Sequence, residues 1–501
     1  MASPSPDREA SSLEKEKVGN DEYREVAAGN EQPPQDVLEY KKQERKVVRK
    51  LDIFIAPVMF LLMLISYLDR GNIGFAATQG MIEDINLQGS DLNIAVSIFY
   101  ITYILAEASF PASFYVKRLQ FNRVIPAITF GWGLMCMCTG FIQGPGSLYA
   151  LRLLLGLFEG CLFPAMTLFL ANWYKREELG FRISFLFIGS ALSGAVGGLI
   201  ALGILYMDGV GGYPGWRWLY IIEGLITIIW AFMTIFLVPA NWRTAYFLTP
   251  SDKAIMKVRE EEMEAYSGGN GHYTMADIKL AAKDPTTWVH APTQVAMVTI
   301  LYGFGTFLPI ILKFSFNFST LQAQYLVVPV CLWGAIVYFV GAILADRYNA
   351  RFWSVIICAP IGMAGYAILL RIEDVPSGVR YFATFLISTA CYLCTGTNIS
   401  WLGMNRAPDG KRAASMGILL TFTNLGGIIS GQIYQTDAAP KYTLGQAWSL
   451  GSLAFGWCGF WVLRTMYKRR EKQKEELRGQ GWNLQPGEVW TDRVPEFKYQ
   501  F

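Results

Sequence analysis

The chain has 501 residues, 52% of them hydrophobic and 17% charged, with a formal net charge of +3. Residues 1–50, 239–290 and 464–501 hold 49 of the 83 charges, which leaves 34 for the other 361 residues. So sparse a charge cannot cover a water-soluble surface of that size. This excludes a soluble enzyme, a disordered chain and a nucleic-acid binder, and leaves a multi-pass membrane protein.

In chain order, residues 1–50 are polar and read as a flexible cytoplasmic tail; with charge but no apolar core they are not a signal peptide. A helix crossing a hydrocarbon layer of about 30 Å needs about 20 apolar residues. Twelve segments meet that requirement: 52–76, 92–113, 123–142, 147–172, 182–206, 217–238, 289–312, 322–344, 352–371, 380–403, 412–434 and 445–466. They fall as six in a block at 51–238 and six in a block at 289–466, with a polar central loop at 239–288 and a C-terminal tail at 467–501. Within the loop, Thr249-Pro250-Ser251-Asp252 has the pattern of a helix start, so a cytoplasmic surface helix is expected there. The tail is rich in Gly, Pro and Glu after residue 479 and is expected to be flexible.

Orientation follows from basic residues. The loops after spans 2, 4, 8 and 10 carry eleven Lys or Arg, against five in the loops on the other side. The positive-inside rule places the first set, and both termini, in the cytoplasm. All eight cysteines lie in apolar stretches, where Cys packs as a small hydrophobe. The chain has two histidines, His272 and His290, so no metal site, catalytic site or cofactor is expected.

Several motifs share a register. The loop after span 8 reads Ala345-Asp346-Arg347-Tyr348-Asn349-Ala350-Arg351, while the loop after span 2, Pro111–Arg118, keeps only a basic end. Span 1 ends Tyr67-Leu68-Asp69-Arg70-Gly71-Asn72, span 4 contains Arg152 followed by Gly156, Glu159, Gly160 and Pro164, and span 6 opens Gly215-Trp216-Arg217-Trp218. Span 11 contains Asn424-Leu425-Gly426-Gly427. Over about 45–470 the chain resembles the major facilitator superfamily. The closest resemblance is to its anion:cation symporter branch, in the fungal allantoate and nicotinate permease group. The fold implied is all-α: 12 transmembrane helices in two pseudo-symmetric six-helix bundles that rock about a midplane site.

Ionisable groups inside spans are costly and so mark function. Arg152 and Glu159 lie about two turns apart on one face of span 4. The resemblance implies Arg152 for binding the organic anion and Glu159 for coupling to protons. Asp69 and Arg70, being adjacent, face different directions. They are either a helix-end pair or cavity-lining, with Arg70 implied for the anion and Asp69 for the proton. Asn398, Trp401 and Asn424 either bind a planar substrate or act as interhelical glue. Glu107 and Glu223 read as protonated packing residues without a primary role. The resemblance implies gating contacts for Asp346, Arg347 and Arg351. Span 7 lacks the Arg found in vesicular members of the branch, which argues against a highly charged substrate.

The function expected is proton-coupled uptake, by alternating access, of a small organic anion such as nicotinate, allantoate or a related acid. The expected setting is a plasma membrane, with lipid, protons and the anion as partners and a monomeric chain. Two other functions are open on the same fold: export of an acidic secondary metabolite, and non-transporting nutrient sensing.

Overall fold

Lipid offers no hydrogen-bond partner to a backbone, so an apolar run of membrane length closes its bonds within one helix. The computed structural model describes residues 35–109, 120–266, 275–435, 438–479, 491–495 and 497–501, and these contain helices and no strand. The first group comprises α1 (Gln35–Phe54), α2 (Ala56–Thr78), α3 (Asp91–Ser109), α4 (Phe121–Thr139), α5 (Pro145–Glu159), α6 (Leu162–Ala171), α7 (Arg176–Leu205) and α8 (Gly215–Leu237). The central loop holds α9 (Pro250–Tyr266) and α10 (Met275–Lys283). The second group comprises α11 (Pro285–Phe314), α12 (Thr320–Arg347), α13 (Arg351–Leu370), α14 (Ser377–Met404), α15 (Asp409–Ile433) and α16 (Thr443–Gly479). Among the described residues nine helices are long and apolar enough to cross a membrane. The loop Pro111–Arg118 lies outside the described residues.

The two groups are joined at one end by hydrogen bonds between helix ends. Lys313 Nζ and Thr320 Oγ1 donate to the Thr78 carbonyl at 2.5 and 3.3 Å, and Gln324 Nε2 donates to Thr78 Oγ1 at 2.9 Å. Asn93 Nδ2 donates to the carbonyls of Gly431 and Tyr434 at 2.5 and 2.7 Å, and Gln432 Nε2 donates to Ser97 Oγ at 2.7 Å. Polar side chains satisfied by the partner group's backbone make this end a seal.

At the opposite end each group holds its own polar elements. Fully buried Arg259 of α9 donates to Glu44 of α1 at 2.7 Å and to Glu178 of α7 at 2.5 Å. Lys50 reaches Asp252 at 2.5 Å. Residues 35–50, expected to belong to a flexible tail, are therefore a helix fastened by ion pairs. In the second group, Asp284 caps α11 by accepting from the Thr286 N–H at 3.0 Å. The same carboxylate meets Arg406, Lys411 and Arg470 at 3.1, 2.7 and 2.6 Å. Burial would raise the Asp284 carboxyl, yet these three cations hold it far below the usual carboxylate range.

The C-terminal stretch corrects a second expectation. Residues 491–495 and 497–501 dock on the mouth of the second group instead of hanging free. Buried Asp492 accepts from Lys411 Nζ at 2.6 Å. The Gln500 carbonyl accepts from Trp401 Nε1 at 2.8 Å and Asn405 Nδ2 at 3.0 Å, while its N–H donates to Asn405 Oδ1 at 2.8 Å. Composition reads this stretch as loose because the partners that hold it, Lys411, Trp401 and Asn405 among them, lie far away in the sequence.

Candidate functional site

Span 4 is one apolar run in the sequence and two helices in the structure. Pro164 has no N–H, and its ring clashes with the carbonyl four residues back, that of Gly160. The helix accordingly breaks between α5 and α6 at Gly160-Cys161. The glycines also allow α5 to press against α3: a Cβ at Gly160 would come 2.5 Å from the Tyr103 carbonyl oxygen. Both effects place Glu159, the last residue of α5, fully buried against α2 and α3.

There Glu159 Oε1 accepts from Arg70 Nε at 2.5 Å and from Ser66 Oγ, while its Oε2 has no partner. Ser66, Tyr67 and Arg70 share one face of α2 by their spacing of three and four. The Arg70 guanidinium lies 4.7 Å from the ring centroids of both Tyr67 and Tyr103. In a desolvated site such a cation–π contact is worth about 2 kcal/mol.

This pair lines a cavity between the two helix groups. The first group contributes Ser66, Tyr67, Arg70, Tyr103, Glu107 and Glu159 to its wall. The second contributes Tyr302, Tyr338, Tyr392, Thr395, Thr423 and Asn424. Across it, Asn424 Nδ2 donates to Glu107 Oε2 at 2.7 Å, and Tyr302 Oη donates to Asn424 Oδ1 at 3.4 Å. The walls are thus tyrosine-rich, with one guanidinium and two carboxylates.

Of the residues singled out in the sequence, Arg70, Glu159 and Asn424 come together on this cavity. Asp69 and Arg152 do not line it. Asp69 accepts from Trp132 Nε1, from Cys136 Sγ at 3.3 Å and from Asn72 Nδ2 at 3.3 Å; Asn72 also donates to Glu223. Arg152 Nη2 donates to Tyr220 Oη at 2.9 Å, and its Nε has no partner. These side chains form a separate polar layer between α2, α4, α5 and α8.

Asn398 and Trp401 lie on a different side of α14 from the cavity. Asn398 Nδ2 donates to Gln294 Oε1 at 2.7 Å, and its Oδ1 faces His290 Nδ1 at 2.7 Å. Trp401 is fully buried and stacks on Phe460 with ring centroids 5.2 Å apart. Arg351 pairs with Asp346 and donates from Nη1 to Gln500 Oε1 at 2.7 Å. Arg347 is exposed, its guanidinium 5.9 Å from the Tyr348 ring. Glu107, set aside in the sequence, faces the cavity. The signal was its spacing of four from Tyr103, which puts both on one face of α3.

A partly charged cavity between two groups of membrane-length helices, sealed at one end, is an arrangement that fits a membrane carrier. The Major Facilitator Superfamily model matches residues 59–431. The chain belongs to that superfamily, whose members are transporters and not enzymes. An uncharacterized transporter of Schizosaccharomyces pombe is 37% identical, covering 98% of this chain and 96% of its own. The high-affinity nicotinic acid transporter of Saccharomyces cerevisiae is 30% identical over 91% of this chain and 85% of its own. Among solved structures, an inward-facing bacterial homolog of the human lysosomal transporter Spinster superposes with a TM-score of 0.62 at 12% identity, covering 82% of this chain and 96% of its own. A D-xylose-proton symporter gives 0.61 at 12%, covering 82% and 97%.

Proposed function

We propose that the protein imports a small organic monocarboxylate together with protons across the plasma membrane, with nicotinate or a related acid as substrate. The observation that carries this reading is the Arg70–Glu159 pair in the cavity wall. While Glu159 is ionised it occupies the Arg70 guanidinium. A proton on Glu159 cancels that charge and frees a planar cation, which suits a carboxylate. Exchanging one buried anion for another keeps the local charge near zero, so the loaded site can be enclosed at lower cost than an unpaired ion. Proton release on the far side restores the internal pair and expels the substrate. The tyrosine walls suit a planar acid, and the nicotinic acid transporter among the relatives supports that class. Arg152 serves on this reading as a brace for α8 through Tyr220. By the basic-residue bias, the sealed end faces outward and the cavity serves the cytoplasm.

The test is uptake of labelled nicotinate and other monocarboxylates into vesicles holding the protein, with and without an inward proton gradient. Proton-driven accumulation in the wild type should fall at least about tenfold in Arg70→Ala, which removes a charge-assisted contact. Glu159→Gln should retain exchange but lose accumulation against a gradient. Wild-type behaviour in both variants overturns the assignment, and accumulation driven only by an opposed gradient makes the protein an exporter.

A further inference from the structure

We propose that Glu107, with Asn424, reads a hydrogen-bond donor at the end of the substrate remote from its carboxylate. The substrate class is then a carboxylic acid bearing an N–H group, an amine, amide, ureide or protonated ring nitrogen, in preference to a plain carboxylate. This inference rests on the carboxylate-carrier reading above and narrows it.

Three observations lead here. The first is charge. With a proton on Glu159 and a carboxylate on Arg70, those partners balance, and Glu107 remains as a second acid on the same wall. Its described partner is a neutral amide, Asn424 Nδ2 at 2.7 Å. A buried carboxylate is best satisfied by several donors, and a cation or N–H on the substrate adds one.

The second is spacing. Tyr103 packs 4.7 Å from the Arg70 guanidinium, and Glu107 follows four residues later on α3, which is about 6 Å of helix rise. The acid therefore lies about one helical turn along α3 from the ring that flanks the cation, on the same face. The wall between them is aromatic, which places donors at one end, acceptors at the other and a flat apolar stretch between.

The third is connectivity. Away from the sealed end, Glu107 of α3 and Asn424 of α15 meet across the two helix groups inside the cavity. Asn424 Oδ1, steered by the Tyr302 hydroxyl at 3.4 Å, adds a second acceptor from the opposite group. A donor inserted between them contacts both groups at once. Recognition of that end of the substrate is thereby coupled to the relative position of the groups. A plain carboxylate leaves these acceptors without the added donor when the cavity closes, and such a deficit is what discriminates between isosteres.

The experiment uses the full chain in vesicles and two isosteric pairs as competitors of labelled uptake. The pairs are 4-aminobenzoate against 4-methylbenzoate, and N-carbamoylglycine against 4-oxopentanoate; in each the first member has N–H where the second has C–H. In the wild type the donor-bearing member of at least one pair should compete at about a tenfold lower concentration. Glu107→Leu should bring that ratio to near one, whatever the overall rate, and Glu107→Gln, which keeps one acceptor, should give an intermediate ratio. If Glu107→Leu does not reach the membrane, Glu107→Gln and Asn424→Leu supply the same ratio. An unchanged ratio in these variants overturns the proposal. So does an unchanged ratio with one proton fewer per substrate, which would make Glu107 a proton site. Wild-type uptake without discrimination overturns this inference alone; absence of all carboxylate uptake removes the function on which it rests.

Discussion

Arg70 and Arg152 bring the same guanidinium into the first helix group, and only helix rotation separates their surroundings. Arg70 turns onto the cavity and binds Glu159, whereas Arg152 turns to Tyr220. Arg70→Lys should raise the KM for a monocarboxylate about tenfold, because an ammonium cannot present a planar fork. Arg152→Lys should leave KM within about twofold while lowering the melting temperature in detergent, since one hydrogen bond is worth about 1 kcal/mol. The reverse pattern would return the anion site to Arg152. That Asp69 and Arg70 face different ways was legible from their adjacency. Which of the two meets the cavity was not, because it depends on what α4 and α8 place behind them: Trp132 and Cys136 take Asp69.

Among the elements, the broken span 4 matters most, because its two glycines and one proline set the height of Glu159. Gly160→Ala would force a methyl group against the Tyr103 carbonyl and Ala106. Overpacking of this kind costs about 1–3 kcal/mol, so the variant should melt earlier and lose uptake as α5 moves off α3. Gly203→Ala is the control: nothing lies within 4 Å of the added methyl group. There the helix should gain about 0.5–1 kcal/mol from the propensity difference. Equal effects at both positions in a thermal scan would sink the packing account. Pro164 announces an irregularity in the sequence, but the position of the break and what it lies against are matters of contact.

For the whole molecule, the described structure is sealed at the Thr78 and Asn93 end, while the other end holds the two ion-paired assemblies. The second assembly predicts a pH profile. Asp284 is depressed below the ordinary carboxylate value, so its contribution is complete above about pH 4 and disappears only as pH falls towards the depressed value. Burial pushes the Lys474 ammonium down to about 8. Here burial favours the neutral form, so docking gains stability as pH rises from there towards the free lysine value. Between about pH 5 and 7 neither group changes charge appreciably. Hydrogen-exchange protection of 491–501, corrected for intrinsic rate, should therefore stay flat over that range. Asp492→Asn should release the tail at neutral pH, because stripping one partner from a buried ion cluster costs about 3 kcal/mol. A loss of protection between pH 6 and 5 in the wild type would place the controlling titration on another group.

Insertion into a bilayer is decided by local composition, so the membrane class, the helical state, the split into two blocks and the few charged positions inside spans were all readable from the sequence alone. The working contacts were not. Glu159 meets Arg70 across 89 positions and Glu107 meets Asn424 across 317, and no local free energy records which faces of distant helices will turn together. The same holds for the tail, whose Asp492 and Gln500 are held by Lys411 and Asn405, 81 and 95 positions away. The 34 charges outside the three polar segments narrowed the candidates for a site. Packing decided that Arg70, Glu159 and Glu107 would share one cavity while Arg152 and Asp69 would stand behind it.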